Sequence, residues 1–278
     1  MDNITSEFTL SETTETPSLT VEQAIANLQQ KEDLSDRYYA AWWLGRFRVR
    51  EPLVIDALLN ALEDEDARSA DGSYPLKRNA ARALGKLGDL RALSPLINCL
   101  ECSDFYVRET AAQALEMLGD KTCIPQLIKL LNGGIEAAIQ VPGKPHLSQP
   151  YEAIIEALGS LGASEAIPLI EPFLNYSVAK VKYAAARAMY QLTNDSTYAN
   201  VLIQELQNDS LQLRRSALID LGKIGYYAAA KPIAETLAEN SLKLIAIKEI
   251  LEYQLNNQLM EPLSDQSIQL MKLMDGLL

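Results

Sequence analysis

Apolar and small residues recur along this chain at helical spacing, and the phrase they form returns about every thirty residues. In residues 76–89 (LKRNAARALGKLGD), Leu76, Ala80, Ala83, Leu84 and Leu87 make one stripe, the mark of a helix with a single buried face. Residues 107–120 (VRETAAQALEMLGD) and 213–225 (LRRSALIDLGKIG) repeat it, and looser copies begin at residues 36, 150, 181 and 242. Arg37, Lys77, Arg108, Tyr151, Lys182, Arg214 and Lys243 then hold one position in successive copies, spaced by 40, 31, 43, 31, 32 and 29 residues. A period of this size predicts an all-α solenoid of about seven helical hairpins, in which no unit buries its apolar face without a neighbour. Gly88 and Gly119 fall where the first helix of a hairpin should end, because glycine accepts the left-handed C-cap conformation. A second helix is expected over residues 91–100, 122–131 and 165–174. Pro95, Pro125, Pro168 and Pro232 sit near its start, where a missing N–H costs little. Two antiparallel helices per unit, with a basic residue opening the first, resemble the HEAT-like repeats.

The solenoid is expected to run as one array over residues 19–278. Residues 1–18 are acidic, rich in Ser and Thr and poor in anything to bury, which predicts a disordered tail. Two of the spacings are too long, so insertions are expected near residues 67–75 and 133–150, as loops on one face. The second insertion holds three prolines and His146, the only histidine of the chain.

Charge and chemistry narrow the function mainly by exclusion. A net charge of −12 opposes nonspecific binding of nucleic acid, whose phosphates need basic partners. Arg46, Arg48 and Arg50 are a local exception, large enough for a small anion and too short for a duplex. No apolar run is long enough to cross a bilayer. The first thirty residues hold no Lys or Arg, which argues against a secretory or transit leader and for a cytoplasmic chain. Cys99, Cys102 and Cys123 are too few for a disulfide framework. Cys99 and Cys102 form a C-x-x-C within an expected helix, where buried small hydrophobes are the commoner outcome. One histidine excludes a His-rich metal site, and no glycine pattern suits a bound nucleotide. Ordinary hydrolase and oxidoreductase chemistry has no residues to carry it.

The first copy breaks the pattern. Its helix reads YYAAWWL over residues 38–44 and contains both tryptophans of the chain. Where it has Tyr38, the other copies carry Arg78, Glu109, Glu152, Tyr183, Arg215 and Leu244. In place of Trp42 they carry Arg82, Gln113, Glu156, Arg187, Ile219 and Lys248. Positions that are mostly charged elsewhere should face outward, and residues four apart share one helix face. Tyr38 and Trp42 are therefore expected as an outward aromatic pair, while Ala40 and Leu44 match core Ala80 and Leu84. The pair either lies under a helix around residues 21–28, with Trp43 capping the stack, or forms a binding surface. Flanked by Arg37 and Arg46, it suits a flat conjugated ligand bearing carboxylates, or a protein partner with aromatic anchors.

The segment YYAAWWLGRFRV (residues 38–49), the copy at residues 76–89, the acidic leader and the overall length resemble the E subunits of the cyanobacterial E/F-type phycobilin lyases, over essentially the full chain. That resemblance implies a heterodimer with an F-type subunit, itself HEAT-like. It implies attachment of phycocyanobilin, a linear tetrapyrrole, to one cysteine of the phycocyanin α subunit. The acceptor thiol would add to the A-ring ethylidene group and form a thioether, with no cysteine of the lyase and no cofactor required beyond the pigment as substrate. It makes Arg37, Tyr38, Tyr39, Trp42, Trp43 and Arg46 the expected bilin- or partner-binding residues. Tyr38 and Trp42 would stack, and Arg37 and Arg46 would pair with the propionates. An Asp or Glu is expected to protonate the pigment, but the repeats offer too many for one to be singled out. An isomerising relative, a phycobilisome-degradation factor and a scaffold remain as other functions of such a fold. Residues 259–278, with Met271 and Met274, suit a closing cap or a partner-binding helix.

Overall fold

The computed structural model describes residues 19–256 and 263–278. The expected tail at residues 1–18 lies outside them, as does the start of the C-terminal stretch at residues 259–262. Helix α1 (Val21–Gln29) precedes a first hairpin made of α2 (Leu34–Arg46) and α3 (Pro52–Glu63). Next come α4 (Pro75–Leu87) with α5 (Leu93–Cys99), and α6 (Phe105–Leu118) with α7 (Ile124–Leu130). A single turn, α8 (Gly134–Ala137), opens the long loop before α9 (Tyr151–Ser160) and its partner α10 (Ile167–Ile170). The array ends with α11 (Ala179–Thr193) and α12 (Ser196–Glu205), α13 (Leu211–Lys223) and α14 (Ala230–Glu235), α15 (Asn240–Asn256) and α16 (Asp265–Asp275). Seven hairpins match the seven copies of the repeat. Among the described residues there is no β-strand, only an isolated bridge between Gln140 and Leu147. No described helix is long and apolar enough to cross a membrane.

The first helices of the hairpins form one continuous row, α2–α4–α6–α9–α11–α13–α15, and the shorter second helices back it. Glycine sets the spacing of the row. A methyl group on Gly45 would lie 2.7 Å from the Cα of Ala83, and one on Gly85 would lie 2.8 Å from that of Ala114. The same approach recurs between Gly159 and Ala188 at 2.6 Å, and between Gly222 and Ala246 at 2.9 Å. At these four contacts one first helix packs backbone against backbone on the next, which only residues this small permit.

The second helices differ from their expected form. Those of the second, third, fourth and sixth hairpins open with a 3₁₀ turn, Leu90–Ala92, Lys121–Cys123, Ser164–Ala166 and Tyr227–Ala229, before a short α segment. In two of these the preceding aspartate draws the entry tight. Asp89 accepts from the backbone N–H of Arg91, and Asp120 from that of Thr122, both at 2.9 Å. Gly88 and Gly119 do close α4 and α6 in the left-handed region, at φ 74° and 71°.

The recurring basic residue has a structural task. Arg108 donates to the carbonyls of Cys102, Ser103 and Ser148, and Arg214 to those of Asn208, Asp209 and Leu237. Lys243 reaches the Ala234 carbonyl at 3.0 Å. Arg37 holds the Leu28 carbonyl at 3.0 Å and Asp64 at 2.9 Å, and Lys77 pairs with Glu65. In these copies a cation caps loop or helix-end carbonyls, or a nearby carboxylate, beside its own helix, where the backbone dipole favours positive charge. The apolar core divides into two clusters. One runs from Ala24 to Met189, the other from Tyr183 to Leu270, and α11 contributes to both.

Candidate functional site

The row of first helices curves inward around α9. Arg187 on α11 reaches across the small Ser160 at the end of α9 and donates to Glu116 on α6 at 2.6 Å. Side chains two hairpins apart can meet only if the face between them is hollow. That face carries the charged positions of the repeat, and it holds two distinct assemblies.

The first lies at the N-terminal edge. Tyr39 and Trp42 stack with centroids 5.5 Å apart and remain 49% and 42% exposed. The outward stripe of α2 is therefore Ser35, Tyr39, Trp42 and Arg46. Trp42 is outward as expected; Tyr38 is not its partner. The Tyr38 position is half-buried in most copies and fully buried at Tyr183, because it lies on the flank of the helix. At the position of Tyr39, interior copies carry Asn79, Thr110, Ala153, Ala184 and Ser216, small groups facing the preceding first helix. Among the described residues no first helix precedes α2, so a large ring fits there. The N-terminal helix α1 packs on α2 and α3 without covering the pair. Trp43 is half-buried against the core and touches Phe47, centroids 4.9 Å apart. Arg37 turns away from this surface: it is 8% exposed and clamps α1 to the end of α3.

Beside the pair, cations collect without partners. Arg46 and Arg48 follow from α2; Arg82 and Lys86 stand on α4, which Asn79 ties to α2 by a 2.9 Å bond to the Tyr38 carbonyl. None of these four makes an ion pair or side-chain hydrogen bond with the described residues. Burial pushes the Lys86 ammonium below its usual value, and Arg82, Arg46 and Arg48 push it further. Arg78 continues the group one turn along, its guanidinium 5.8 Å from the Tyr106 ring. Uncompensated charge of one sign beside stacked rings, half-buried at Arg82 and Lys86 and exposed at Arg46 and Arg48, is an anion-binding arrangement.

The second assembly is a cleft of about 280 Å³ between α6, α9, the start of α11 and the insertion at residues 138–150. The insertion is folded into a wall. Ser148 donates to the Ala137 carbonyl at 2.6 Å and its N–H to Ile139 at 2.8 Å, while Arg108 grips Gln149 at 3.0 Å. His146 stacks on Phe105 at 4.0 Å, with Tyr106 edge-on at 5.9 Å. The first insertion comes to the same place, since the N–H of Tyr74 donates to Asp104 at 2.9 Å, one residue before α6. Two carboxylates, Glu109 and Glu152, line the cleft with Lys180. Neither has a hydrogen bond or ion pair among the described residues. Burial raises both above the usual carboxylate range, and Glu156 and Glu109 raise Glu152 further.

Arg78, Arg82, Lys86, Glu109, Glu152 and Lys180 were not among the residues expected from the sequence. Four of them were aligned there, as the charged equivalents of Tyr38 and Trp42. The signal was that those positions line one face. What the alignment lacked was which charges find partners.

The relatives of the chain share its repeat architecture. HEAT repeats match residues 67–139, and the PBS lyase HEAT-like repeat matches residues 36–64 and 150–176. The phycocyanobilin lyase subunit alpha of Nostoc is 62% identical over 94% of this chain and 95% of its own length. The bilin biosynthesis protein PecE of Nostoc is 43% identical over 87% of this chain and 90% of its own. A chain in the solved complex of CpcE and CpcF of phycocyanin lyase from Nostoc superposes with a TM-score of 0.89 at 59% identity, covering 99% of this chain and 100% of that one. At such identity over nearly the whole length, this chain belongs to the phycocyanobilin lyase alpha-subunit family.

Proposed function

We propose that this chain is the alpha subunit of a heterodimeric phycocyanobilin lyase, working in the cytoplasm with an F-type partner to join phycocyanobilin to a cysteine of the phycocyanin α subunit. The observation that carries the reading is the group of unpartnered cations beside Tyr39 and Trp42. A linear tetrapyrrole offers a flat conjugated surface and two propionate arms. Tyr39 and Trp42 provide the bilin- or partner-binding surface, and Arg46, Arg78 and Arg82 take the propionates, each charge-assisted contact contributing about 1.5–3 kcal/mol. Arg37 positions α2 from behind through Asp64.

Positioning is the main task of such an enzyme. Held against a rigid helix row, the pigment meets the acceptor thiol in a near-unimolecular step. The thiol comes from the acceptor. Cys99 and Cys123 are buried, their thiols pushed up to about 12 and about 11, so neither supplies a thiolate. The 62% identity to a phycocyanobilin lyase subunit alpha, against 43% to the bilin biosynthesis protein PecE, supports phycocyanobilin attachment.

The test is co-expression of this chain with its F-type partner, the apo α subunit and phycocyanobilin, followed by denaturing electrophoresis and zinc-enhanced fluorescence. Covalent red-absorbing pigment that disappears when this chain is omitted is the expected result. Trp42→Ala should lower the yield with an unchanged helical signal. Pigment attachment that proceeds equally without this chain would sink the reading.

A further inference from the structure

We infer that Glu109 and Glu152 are the acid–base pair of the attachment reaction, acting on the reactive end of the pigment inside the cleft between α6, α9 and the 138–150 loop. The inference rests on the lyase reading above. Most carboxylates of the hollow face have other work: Glu116, Glu156 and Asp220 surround Arg187 at 2.6, 3.2 and 3.6 Å. Glu109 and Glu152 stand at the same position of two successive first helices, open into one cleft and have no partner. Phe105, Tyr106 and His146 offer a ring-lined wall opposite. Ligand cavities run from roughly 300 to 1,000 Å³, so one of about 280 Å³ admits part of a tetrapyrrole and leaves the rest outside. Arg78, stacked at Tyr106, stands beside this cleft. The terminal ring therefore enters, and the propionates on the middle rings stay with Arg78 and Arg82.

The chemistry balances without a co-reactant. The ionised member of the pair takes the proton of the acceptor thiol, and sulfur bonds to the exocyclic ethylidene carbon. The displaced π pair settles on the ring carbon, which takes a proton from the protonated member. One S–H and one C=C π bond are exchanged for one C–S and one C–H bond, and the pair again holds one proton. Such a pair needs one member neutral near pH 7, the direction in which burial moves both. Glu109 is faced by Arg78 and Arg82 from α4, Lys180 from α11 and His146 from the loop. Glu152 is faced by Lys180, Glu156, Glu109 and Lys223.

The experiment uses the purified heterodimer in single-turnover transfer of phycocyanobilin to the apo acceptor, from pH 5.5 to about 8.5. Glu109→Gln and Glu152→Gln should each slow transfer at saturating pigment by about a hundredfold. Each should also remove one limb of the pH–rate profile and leave pigment affinity, read by tryptophan quenching, within about threefold. Glu165→Gln, on the exposed loop before α10, should match wild type. Wild-type rates and an unchanged pH profile in both variants would overturn the inference. So would lost affinity with a normal rate per bound pigment, which marks binding alone. Should Glu152→Gln fail to fold by circular dichroism, Glu109→Gln alone decides, since its group is less buried. A wild-type heterodimer that transfers nothing defeats the lyase reading itself, and is told apart by that control.

Discussion

Arg82 on α4 and Arg187 on α11 hold the same position in two copies of the repeat, with opposite surroundings. Arg82 is half-buried and has no partner among the described residues. Arg187 is 1% exposed and sits among Glu116, Glu156 and Asp220. The backbone that presents them is the same; the neighbours are not. A repeat array can thus use one position to hold the fold in one hairpin and to receive a ligand in another. On the proposed reading, the lone charge, rather than the charge as such, marks the receiving surface.

Truncation should separate the two most sharply. Arg187→Ala leaves three carboxylates facing each other without a cation and should cost about 3–5 kcal/mol in a urea melt. Arg82→Ala breaks no hydrogen bond or ion pair among the described residues and should stay within about 0.5 kcal/mol. If both lose stability equally, the contrast fails. Function should reverse the ranking. Replacing Arg78 and Arg82 together by Gln should weaken pigment binding by roughly a hundredfold to ten-thousandfold, since two charge-assisted contacts of about 1.5–3 kcal/mol each are lost. A titration of pigment onto the heterodimer reads this directly, and melting should be unaffected.

The next effect is geometric. Arg187 reaches Glu116 because α9 and α11 approach closely through Gly159, where a methyl would stand 2.6 Å from the Ala188 Cα and 2.7 Å from Gln191. Gly159→Ala should destabilise by about 1–3 kcal/mol, even though alanine is the better helix former. The smallest effect is a slope. Burial, with Glu156 beside it, raises Asp220 from 3.8 to about 7. The folded chain then keeps a proton that the unfolded chain releases near pH 4, so this contribution to stability is full below pH 4 and lost as pH rises toward 7. Asp220→Asn should remove that decline, and melting curves at pH 5 and pH 7.5 should converge.

The repeat could be read from spacing alone because small residues must return wherever two helix backbones touch. Seven hairpins, their glycine ends and the two insertions followed. The short, 3₁₀-opened second helices did not; in two of them the tightness comes from an aspartate side chain bonding the backbone two residues on. For the candidate site, Trp42 stood out by its departure from a charged column and Arg46 by flanking it, and both lie on the outward stripe of α2. Tyr39 was named among the expected residues but not as the stacking partner of Trp42, because its equivalents in the column are small and face the preceding first helix, which α2 lacks among the described residues. Arg37 looked like part of the surface because it adjoins Tyr38 in sequence; on a helix, adjacent residues point about 100° apart. The pairing of Arg187 with Glu116 joins residues 71 apart in the chain, and no local pattern encodes it.

The division of the apolar core into two clusters that share α11 has a consequence for how the molecule opens. In a linear array, segments on either side of a seam exchange their amide protons with solvent as separate units. The amides of α13 to α16 should therefore exchange together and earlier, while those of α2 to α9, which carry both the aromatic edge and the cleft, stay protected. The hairpins beyond α11 can loosen without disturbing the aromatic edge or the cleft.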